Sequence, residues 1–367
     1  MNPSSLNTTT GKKRLRVIIK LMALFLYLKL KKLYSSNQSV RCFMSSKLNE
    51  IDSKIIELMK ERVLLTDSSN ISEVEKLSDD ISKIADSLKY QTDFIDHPTV
   101  GYQGVSGAFS EQACQNFFSK DVKAIGYPEF EDVYVALKNG DIDYGVLPIE
   151  NSSTGAINDN YDLIRKYGFY IVGETAVNVN QCLMGVPGAK LEDIEEVYSH
   201  PQGLAQSSEF FFEHRKMSPM PYKDTAMAAK YVALEQNKTK AAIASSLACE
   251  LYGLEMIQEA IQNDKTNKTR FMIVSRDFIT PLNSDKVSVL FTLPHEVGSL
   301  YNMLQITTLY GVNLEKIESR PIKEENWNYY FYIDFTGNIR EKKVSKAISE
   351  LKEKASTFRV LGNYKKA

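Results

Sequence analysis

The chain has 367 residues, of which 43% are hydrophobic and 25% charged, so it is long enough for two or three globular domains and shows no collagen-like or disordered bias. The formal net charge is −1, but residues 1–43 carry nine Lys or Arg residues and no acidic residue, which leaves the rest acidic. An acidic body argues against a nucleic-acid-binding or anionic-membrane surface.

The N-terminal 43 residues contain a short apolar segment. Its uninterrupted run, Leu21 to Leu28, is shorter than the roughly 20 residues that a membrane-spanning helix needs. We expect residues 1–43 to be a disordered or non-native basic leader outside the folded part, with a membrane tether as the alternative. No membrane partner is expected.

Residues 44–96 follow helical spacing in two stretches, "LNEIDSKIIELMKER" and "ISEVEKLSDDISKIADSLKY", which predict a helical hairpin. Between His97 and Pro281 short strands alternate with helices, which predicts an α/β domain with largely parallel sheets. Its first strand is "TVGYQ", followed by a helix that begins at Ser110. One long helix is predicted over "GLAQSSEFFFEH".

After Pro281 the pattern changes to β-α-β-β-α-β over residues 284–367, the ferredoxin-like order. The last helix places Val344, Ala347, Ile348 and Leu351 on one face, which should lie on the sheet.

The four cysteines, Cys42, Cys114, Cys182 and Cys249, are scattered without a C-x-x-C spacing. This pattern predicts neither a zinc site nor a disulfide framework, and it suits a reducing, cytoplasmic location.

Polar residues follow several predicted strands. Ser110 follows a glycine-rich turn, "GYQGVSG", whose spacing does not match a dinucleotide-binding loop, and is predicted to cap a helix whose N-terminus suits a carboxylate. Glu150 and Asn151 follow "VLPI", Ser199 and Gln206 flank "HPQGLA", and Thr269-Arg270 precede an apolar run. Taken singly, these residues fit polar turns, a loop and the start of a strand.

Together these stretches resemble prephenate dehydratase with a C-terminal ACT regulatory domain. The blocks that carry the resemblance, in the family's order, are "GYQGVSGAFSEQA", "PIENSSTGAIN", "SHPQGLAQ", "DTAMAA", "NKTRF", "GSLYNML", "GVNLEKIESRP" and "YYFYIDF". The resemblance implies a dehydratase domain over residues 97–281 with two lobes like those of periplasmic binding proteins. It implies that Thr269 arrives on a segment that returns to the first lobe.

The resemblance also implies the site. Thr269 is the essential hydroxyl, and Asn151, Ser199 and Gln206 complete the catalytic set. Substrate-binding positions are Glu150, Ser110, Thr225, Arg270 and Phe271. Asp224 stands where many relatives have serine, which leaves its role open. Neutral donors should orient prephenate, and because aromatisation drives the reaction, no cofactor or metal is expected.

For the ACT domain, the resemblance implies a site for L-phenylalanine between protomers of a homo-dimer or homo-tetramer. Its residues would be Gly298, Ser299, Leu300, Glu318, Ser319, Arg320 and Pro321.

The segment 44–96 resembles a truncated chorismate mutase helix. It keeps Arg62 but lacks the family's first arginine, and mutase chemistry needs several cations. Three alternatives therefore stay beside prephenate dehydratase: arogenate dehydratase, a bifunctional chorismate mutase/prephenate dehydratase, and a non-catalytic amino-acid sensor.

Overall fold

The computed structural model describes residues 91–322 and 328–367, which belong to one compact unit, Tyr90–Ala367. The predicted leader and the predicted hairpin up to residue 90 lie outside the described residues. Residues 91–96, assigned above to the hairpin, instead pack on the α/β domain, because the Phe94 ring lies 5.5 Å from that of Phe117 and 5.4 Å from that of Tyr144.

The α/β domain contains eleven strands in the described residues. They are β1 (Thr99–Gln103), β2 (Lys123–Tyr127), β3 (Tyr144–Asn151), β4 (Gly155–Ala156), β5 (Tyr170–Asn178), β6 (Cys182–Gly185), β7 (Glu196–Ser199), β8 (Ser218–Pro221), β9 (Lys240–Ala244), β10 (Glu255–Gln258) and β11 (Lys268–Ser275). Its helices are α1 (Phe109–Phe117), α2 (Phe130–Asn139), α3 (Asn158–Tyr167), α4 (Pro201–Gln206), α5 (Ser208–Glu213), α6 (Thr225–Glu235) and α7 (Ser246–Leu251).

These strands form two sheets, one for each lobe. The first lobe has the order β2-β1-β3-β11-β5, with β4 beside β3, and the second has β10-β6-β9-β7-β8. The chain crosses between lobes after β5 and returns before β11, so the prediction that Thr269 arrives on a segment returning to the first lobe is confirmed.

Three details of the predicted α/β domain are wrong. The sheets are mixed rather than largely parallel, because β11 pairs antiparallel with both β3 and β5, and β6 does so with β9 and β10. The predicted helix over "GLAQSSEFFFEH" is broken at Ser207 into α4 and α5. No element was predicted for the residues that form β2 and α2.

The C-terminal domain has the predicted β-α-β-β-α-β order. Its elements are β12 (Lys286–Thr292), α8 (Ser299–Leu309), β13 (Leu314–Pro321), β14 (Tyr329–Thr336), α9 (Lys342–Lys354) and β15 (Thr357–Tyr364), with the sheet order β13-β14-β12-β15. Val344, Ala347 and Leu351 of α9 are buried against one face of this sheet, as their spacing predicts.

The other face of the C-terminal sheet packs on the first lobe. Leu290, Tyr332 and Leu361 share a core with Ile171 and Met272 of the α/β domain. At Gly362 the approach is so close that a Cβ atom would lie 1.9 Å from the carbonyl oxygen of Ile171. The two domains therefore meet through backbone as well as side chains. None of the helices in residues 91–322 and 328–367 is long and apolar enough to cross a membrane.

Candidate functional site

A buried hydroxyl and a buried amide meet where β3 ends and β11 begins. The antiparallel register places Thr269 directly opposite Asn151, and the Nδ2 of Asn151 donates a hydrogen bond of 2.9 Å to the Oγ1 of Thr269. Asn151 is 5% and Thr269 9% exposed, so the pair is largely removed from bulk water. Two residues separated by 118 positions in the chain thus form one unit.

The amide of Asn151 is held in one orientation by its neighbours. Its Oδ1 accepts hydrogen bonds from the backbone N–H groups of Ser153 (3.0 Å) and Thr154 (3.1 Å). Its Nδ2 also donates to the Oδ1 of Asn267 at 2.8 Å. In the flipped orientation the Oδ1 of Asn151 would face the Oδ1 of Asn267, and its Nδ2 would face the N–H groups of Ser153 and Thr154. These contacts are unfavourable, so the Nδ2 faces Thr269.

Asn267 belongs to the site, although the sequence reasoning did not single it out. It is 2% exposed and lies two residues before Thr269, immediately before the first residue of β11. Alternate residues of a strand share a face, so the spacing Asn-Lys-Thr could have indicated it.

The hydrogen-bond arrangement leaves the Thr269 hydrogen available. Its oxygen accepts from Asn151, and within the described residues no acceptor takes its own hydrogen. A hydroxyl polarised by one donor and lacking an acceptor is arranged to donate to a bound molecule.

Residues of the second lobe reach the same region from α4. The Nε2 of Gln202 lies 3.4 Å from the Oγ1 of Thr154 and so bridges the lobes. The backbone carbonyl of Gln206 accepts from the N–H of Asn263 at 2.7 Å, and its Oε1 accepts from the Nε2 of Gln181 at 3.1 Å. The end of α4 is therefore tied to the segment that carries Thr269.

Ser199 lies deeper than the sequence reasoning expected. It is completely buried at the end of β7, and its hydroxyl donates to the carbonyl of Ile243 at 2.7 Å. Its hydrogen is thus committed within the lobe, which leaves only its lone pairs for other contacts. A Cβ on Gly203 would lie 2.7 Å from the Ser199 hydroxyl and 3.6 Å from the Thr225 methyl, so these side chains are neighbours.

The structure corrects one capping prediction and resolves an open one. Ser110 does not cap α1; it is the buried second residue of the helix, whose N-cap position is Ala108. Asp224, by contrast, caps α6, because its Oδ1 accepts from the N–H groups of Ala226 (2.8 Å) and Met227 (3.1 Å). An aspartate in place of serine keeps this capping role.

The glycine-rich turn joins the lobes. Gly107 has a φ of +92°, and a Cβ there would lie 2.9 Å from the Cα of Ala248 in the second lobe. Its carbonyl accepts a 2.6 Å hydrogen bond from Ser245. Only glycine combines this backbone conformation with so close an approach.

Arg270 and Glu150 do not lie with the Thr269 hydroxyl, contrary to expectation, whereas Phe271 is two residues from Thr269 and shares its face of β11. The Arg270 guanidinium pairs with Glu150 at 2.8 Å and with Asp334 of the C-terminal domain at 3.3 Å. Successive side chains of a strand point to opposite faces, so Arg270 and Glu150 lie across the sheet from Thr269 and Asn151. Phe271 is 2% exposed in the core of the first lobe.

This ion-pair cluster shifts the pKa values of its members. Burial acts to lower the pKa of Arg270, but the carboxylates of Asp334 and Glu174 outweigh it and raise that pKa. Burial acts to raise the pKa of Glu150, but Lys316 and Arg270 outweigh it and lower that pKa. Arg270 and Glu150 therefore stay charged at neutral pH, and their charge is directed away from Thr269.

The residues predicted to bind L-phenylalanine fall in two segments at one end of the C-terminal sheet, where β12 and β13 terminate. β12 and β13 both pair antiparallel with β14, so their C-terminal residues lie at the same end of the sheet. Gly298, with a φ of +85°, begins α8 after β12. Arg320, near the end of β13, pairs with Asp162 of the first lobe at 2.8 Å. The remaining members are Ser299, Leu300, Glu318, Ser319 and Pro321.

Comparisons with known proteins agree with this architecture. Residues 100–278 match the family model for prephenate dehydratase. Arogenate dehydratase 2 of Petunia hybrida is 37% identical over 281 residues, which cover 72% of this chain and 71% of the relative.

Two solved structures superpose with a TM-score of 0.68. One is prephenate dehydratase from Arthrobacter aurescens in complex with L-Phe, 29% identical, covering 73% of this chain and 90% of that one. The other is GqqA, described as a novel type of quorum quenching acylase, 30% identical, covering 73% and 98%. The fold alone does not decide the reaction.

The fold and the hydroxyl–amide pair define a two-lobed α/β enzyme of the dehydratase class. By the family model and the identity to its relatives, the chain belongs to the prephenate dehydratase family.

Proposed function

We propose that the protein converts prephenate to phenylpyruvate in L-phenylalanine biosynthesis, with Thr269 as the proton donor. The observation that carries the proposal is the Thr269 hydroxyl, whose oxygen accepts from Asn151 and whose hydrogen has no acceptor in the described residues. The reaction needs such a donor, because hydroxide is a poor leaving group unless it is protonated as it departs.

In the proposed step, the bond between the ring and its carboxylate breaks and CO₂ leaves. The released electron pair forms a new ring double bond, an existing ring double bond shifts by one position toward the opposite ring carbon, the C–O bond at that carbon breaks, and the departing oxygen takes the Thr269 hydrogen to become water. The threonine then recovers a proton from solvent.

Neutral donors suit the carboxylate that is lost. A cation held on it would stabilise the ground state more than the transition state and slow decarboxylation. Arg270, which follows Thr269 in the chain, is turned to the opposite face of the sheet, and its charge is balanced by the carboxylates of Glu150 and Asp334. Asn151, Thr225 and Gln206 are the neutral groups that we propose for substrate orientation, with Ser199 and Ser110 as buried support.

Arogenate is the alternative substrate, and the similarity to a plant arogenate dehydratase favours testing it. Arogenate carries an amino group where prephenate has a side-chain keto group, and the ring chemistry is the same. Both substrates should be compared side by side on the full chain: the larger kcat/KM with prephenate would support prephenate dehydratase, and the larger kcat/KM with arogenate would support arogenate dehydratase. Turnover of neither would contradict the proposal and support the non-catalytic amino-acid sensor.

We further propose that the C-terminal domain is an ACT domain that binds L-phenylalanine. Two observations support this proposal: the β-α-β-β-α-β order, and the position of the segments 298–300 and 318–321 at the same end of the sheet. The edge strand β13 pairs only with β14 in the described residues, and exposed apolar side chains lie nearby at Val297, Tyr301 and Ile317. We propose that a second copy covers this edge in a dimer or tetramer.

L-Phenylalanine is expected to lower the rate of prephenate turnover, because binding at the domain edge favours one arrangement of the lobes. The measurement is the initial rate against L-phenylalanine concentration, with D-phenylalanine as the stereochemical control. An unchanged rate with the L-isomer would remove the regulatory proposal.

The remaining proposals rest on sequence. We propose a cytoplasmic location, which the scattered cysteine pattern supports because it suits a reducing compartment. Chorismate mutase activity concerns residues outside those described, and a chorismate assay on the full chain would decide it.

A further inference from the structure

Four charged side chains lie behind the Asn151–Thr269 pair, within a larger ion-pair network that also includes Glu174 and Lys286. Glu150 and Arg270 are the chain neighbours of Asn151 and Thr269, and they pair with each other across β3 and β11. Lys316 of β13 lies 3.0 Å from Glu150, and Asp334 of β14 lies 3.3 Å from Arg270. Because Lys316 and Asp334 are themselves opposite in the β13–β14 register, charges alternate around what we call the charge ring.

The charge ring joins the two domains next to the Asn151–Thr269 pair. Its first half, Glu150 and Arg270, lies on the strands that carry the hydroxyl and the amide. Its second half lies on the C-terminal sheet, and Lys316 is two residues from Glu318 on the same face of β13. The Arg270 and Asp334 side chains are 19% and 13% exposed, so solvent screens that pair weakly, whereas Glu150, the partner of Lys316, is 37% exposed and its pair is screened more.

The geometry around the charge ring makes it sensitive to domain position. Gly362 brings backbone of the C-terminal domain against Ile171, so the sheet cannot move toward the lobe without a clash. The Tyr161 side chain, next to Lys316, is 4% exposed, and its hydroxyl has no hydrogen-bond partner in the described residues. A buried polar group left unpaired costs free energy, so an arrangement of the network that gave this hydroxyl a partner would recover that cost.

We propose that Arg270 and Glu150 are positioning residues through which the C-terminal domain sets the Asn151–Thr269 hydrogen bond. A shift of β13 or β14 pulls on Glu150 or Arg270, and the shared peptide groups move Asn151 and Thr269 with them. This inference rests on the proposed function. It adds the contacts through which an effector bound to the C-terminal domain would change the position of Thr269.

The test removes the cation on the C-terminal side and leaves both catalytic strands intact. Lys316→Met is expected to lower kcat for prephenate about 10-fold, since misplacing a reacting group by about 1 Å costs up to 10²-fold. KM should change less than about threefold, and L-phenylalanine should remove a smaller fraction of the remaining rate. Lys316→Arg keeps the charge and should restore both properties.

Lys346→Met is the matched control, because Lys346 is an exposed lysine on α9 of the same domain. It should leave kcat and the phenylalanine response at wild-type values. If Lys316→Met lowered only the melting temperature and kept the wild-type kcat and phenylalanine response, the side chain would be merely structural and the proposal overturned.

Hydrogen–deuterium exchange separates this inference from the proposed function. Peptides covering residues 148–154 and 267–275 should exchange faster in Lys316→Met than in Lys346→Met, whether or not prephenate is the substrate. If the wild type turned over neither substrate, the proposed function would fail and exchange alone would decide the coupling. Equal exchange in the two variants would then overturn it.

Discussion

Thr269→Ala is expected to lower kcat for prephenate about 10²- to 10⁴-fold, the usual range for loss of a general acid. The alanine keeps the backbone of β11 and removes a hydroxyl that accepts from Asn151 and whose hydrogen has no acceptor in the part of the chain that the structure describes. Substrate affinity should change little, because the hydroxyl acts on the departing oxygen in the transition state. Steady-state phenylpyruvate formation measures the effect.

Two control variants make this prediction specific. Thr269→Ser keeps the hydroxyl and should retain most of the activity. Thr266→Ala removes an exposed threonine from the same segment and should behave as wild type. A Thr269→Ala protein with near-normal turnover would refute the assignment of Thr269 as proton donor.

Lys286→Met is expected to destabilise the protein by about 3–5 kcal/mol, the usual loss when one partner of a buried ion pair is removed. Lys286 is 2% exposed, and its Nζ lies 2.9 Å from Glu174, whose side chain is 4% exposed. The methionine would leave Glu174 buried with Arg270, 3.2 Å away, as its remaining cation. The free energy of unfolding, measured by urea denaturation, reports the loss.

The matched comparison is the exposed pair of Lys166 and Glu131, with side chains 59% and 47% exposed. Lys166→Met should cost about 0–1 kcal/mol, because solvent screens such pairs. The double variant Lys286→Met/Glu174→Met should recover part of the stability lost in Lys286→Met, since the most buried carboxylate is removed. Glu315 and Asp334 also lose Lys286 but keep Lys366 and Arg270 as partners. If Lys286→Met were as stable as Lys166→Met, the prediction that losing the buried Lys286–Glu174 pair strongly lowers the free energy of unfolding would be wrong.

Much of the fold could be predicted from local patterns. Hydrophobic periodicity placed the C-terminal helices and strands close to their observed bounds, and the four-residue face of α9 lies on the sheet as its spacing requires. The direction of strand pairing could not be predicted in this way. Whether β11 runs parallel or antiparallel to β3 depends on contacts between residues over 100 positions apart, and composition carries no such information.

The candidate site was partly predictable. Thr269 and Asn151 were identified from a resemblance, which orders motifs along the chain but gives their side chains no direction. The same motif therefore grouped Thr269 with Arg270, although strand alternation alone sends them to opposite faces. Asn267 was missed because an asparagine before a strand ordinarily indicates a turn, and only its 2.8 Å contact with Asn151 reveals its role.

A single-turnover experiment shows whether Thr269 protonates the departing hydroxide. Enzyme in excess is mixed rapidly with prephenate, and phenylpyruvate is followed for the wild type, Thr269→Ser and Thr269→Ala. The chemical step is expected to slow about 10²- to 10⁴-fold only in Thr269→Ala, at an unchanged half-saturating enzyme concentration. Equal rates in wild type and Thr269→Ala would contradict this role of Thr269.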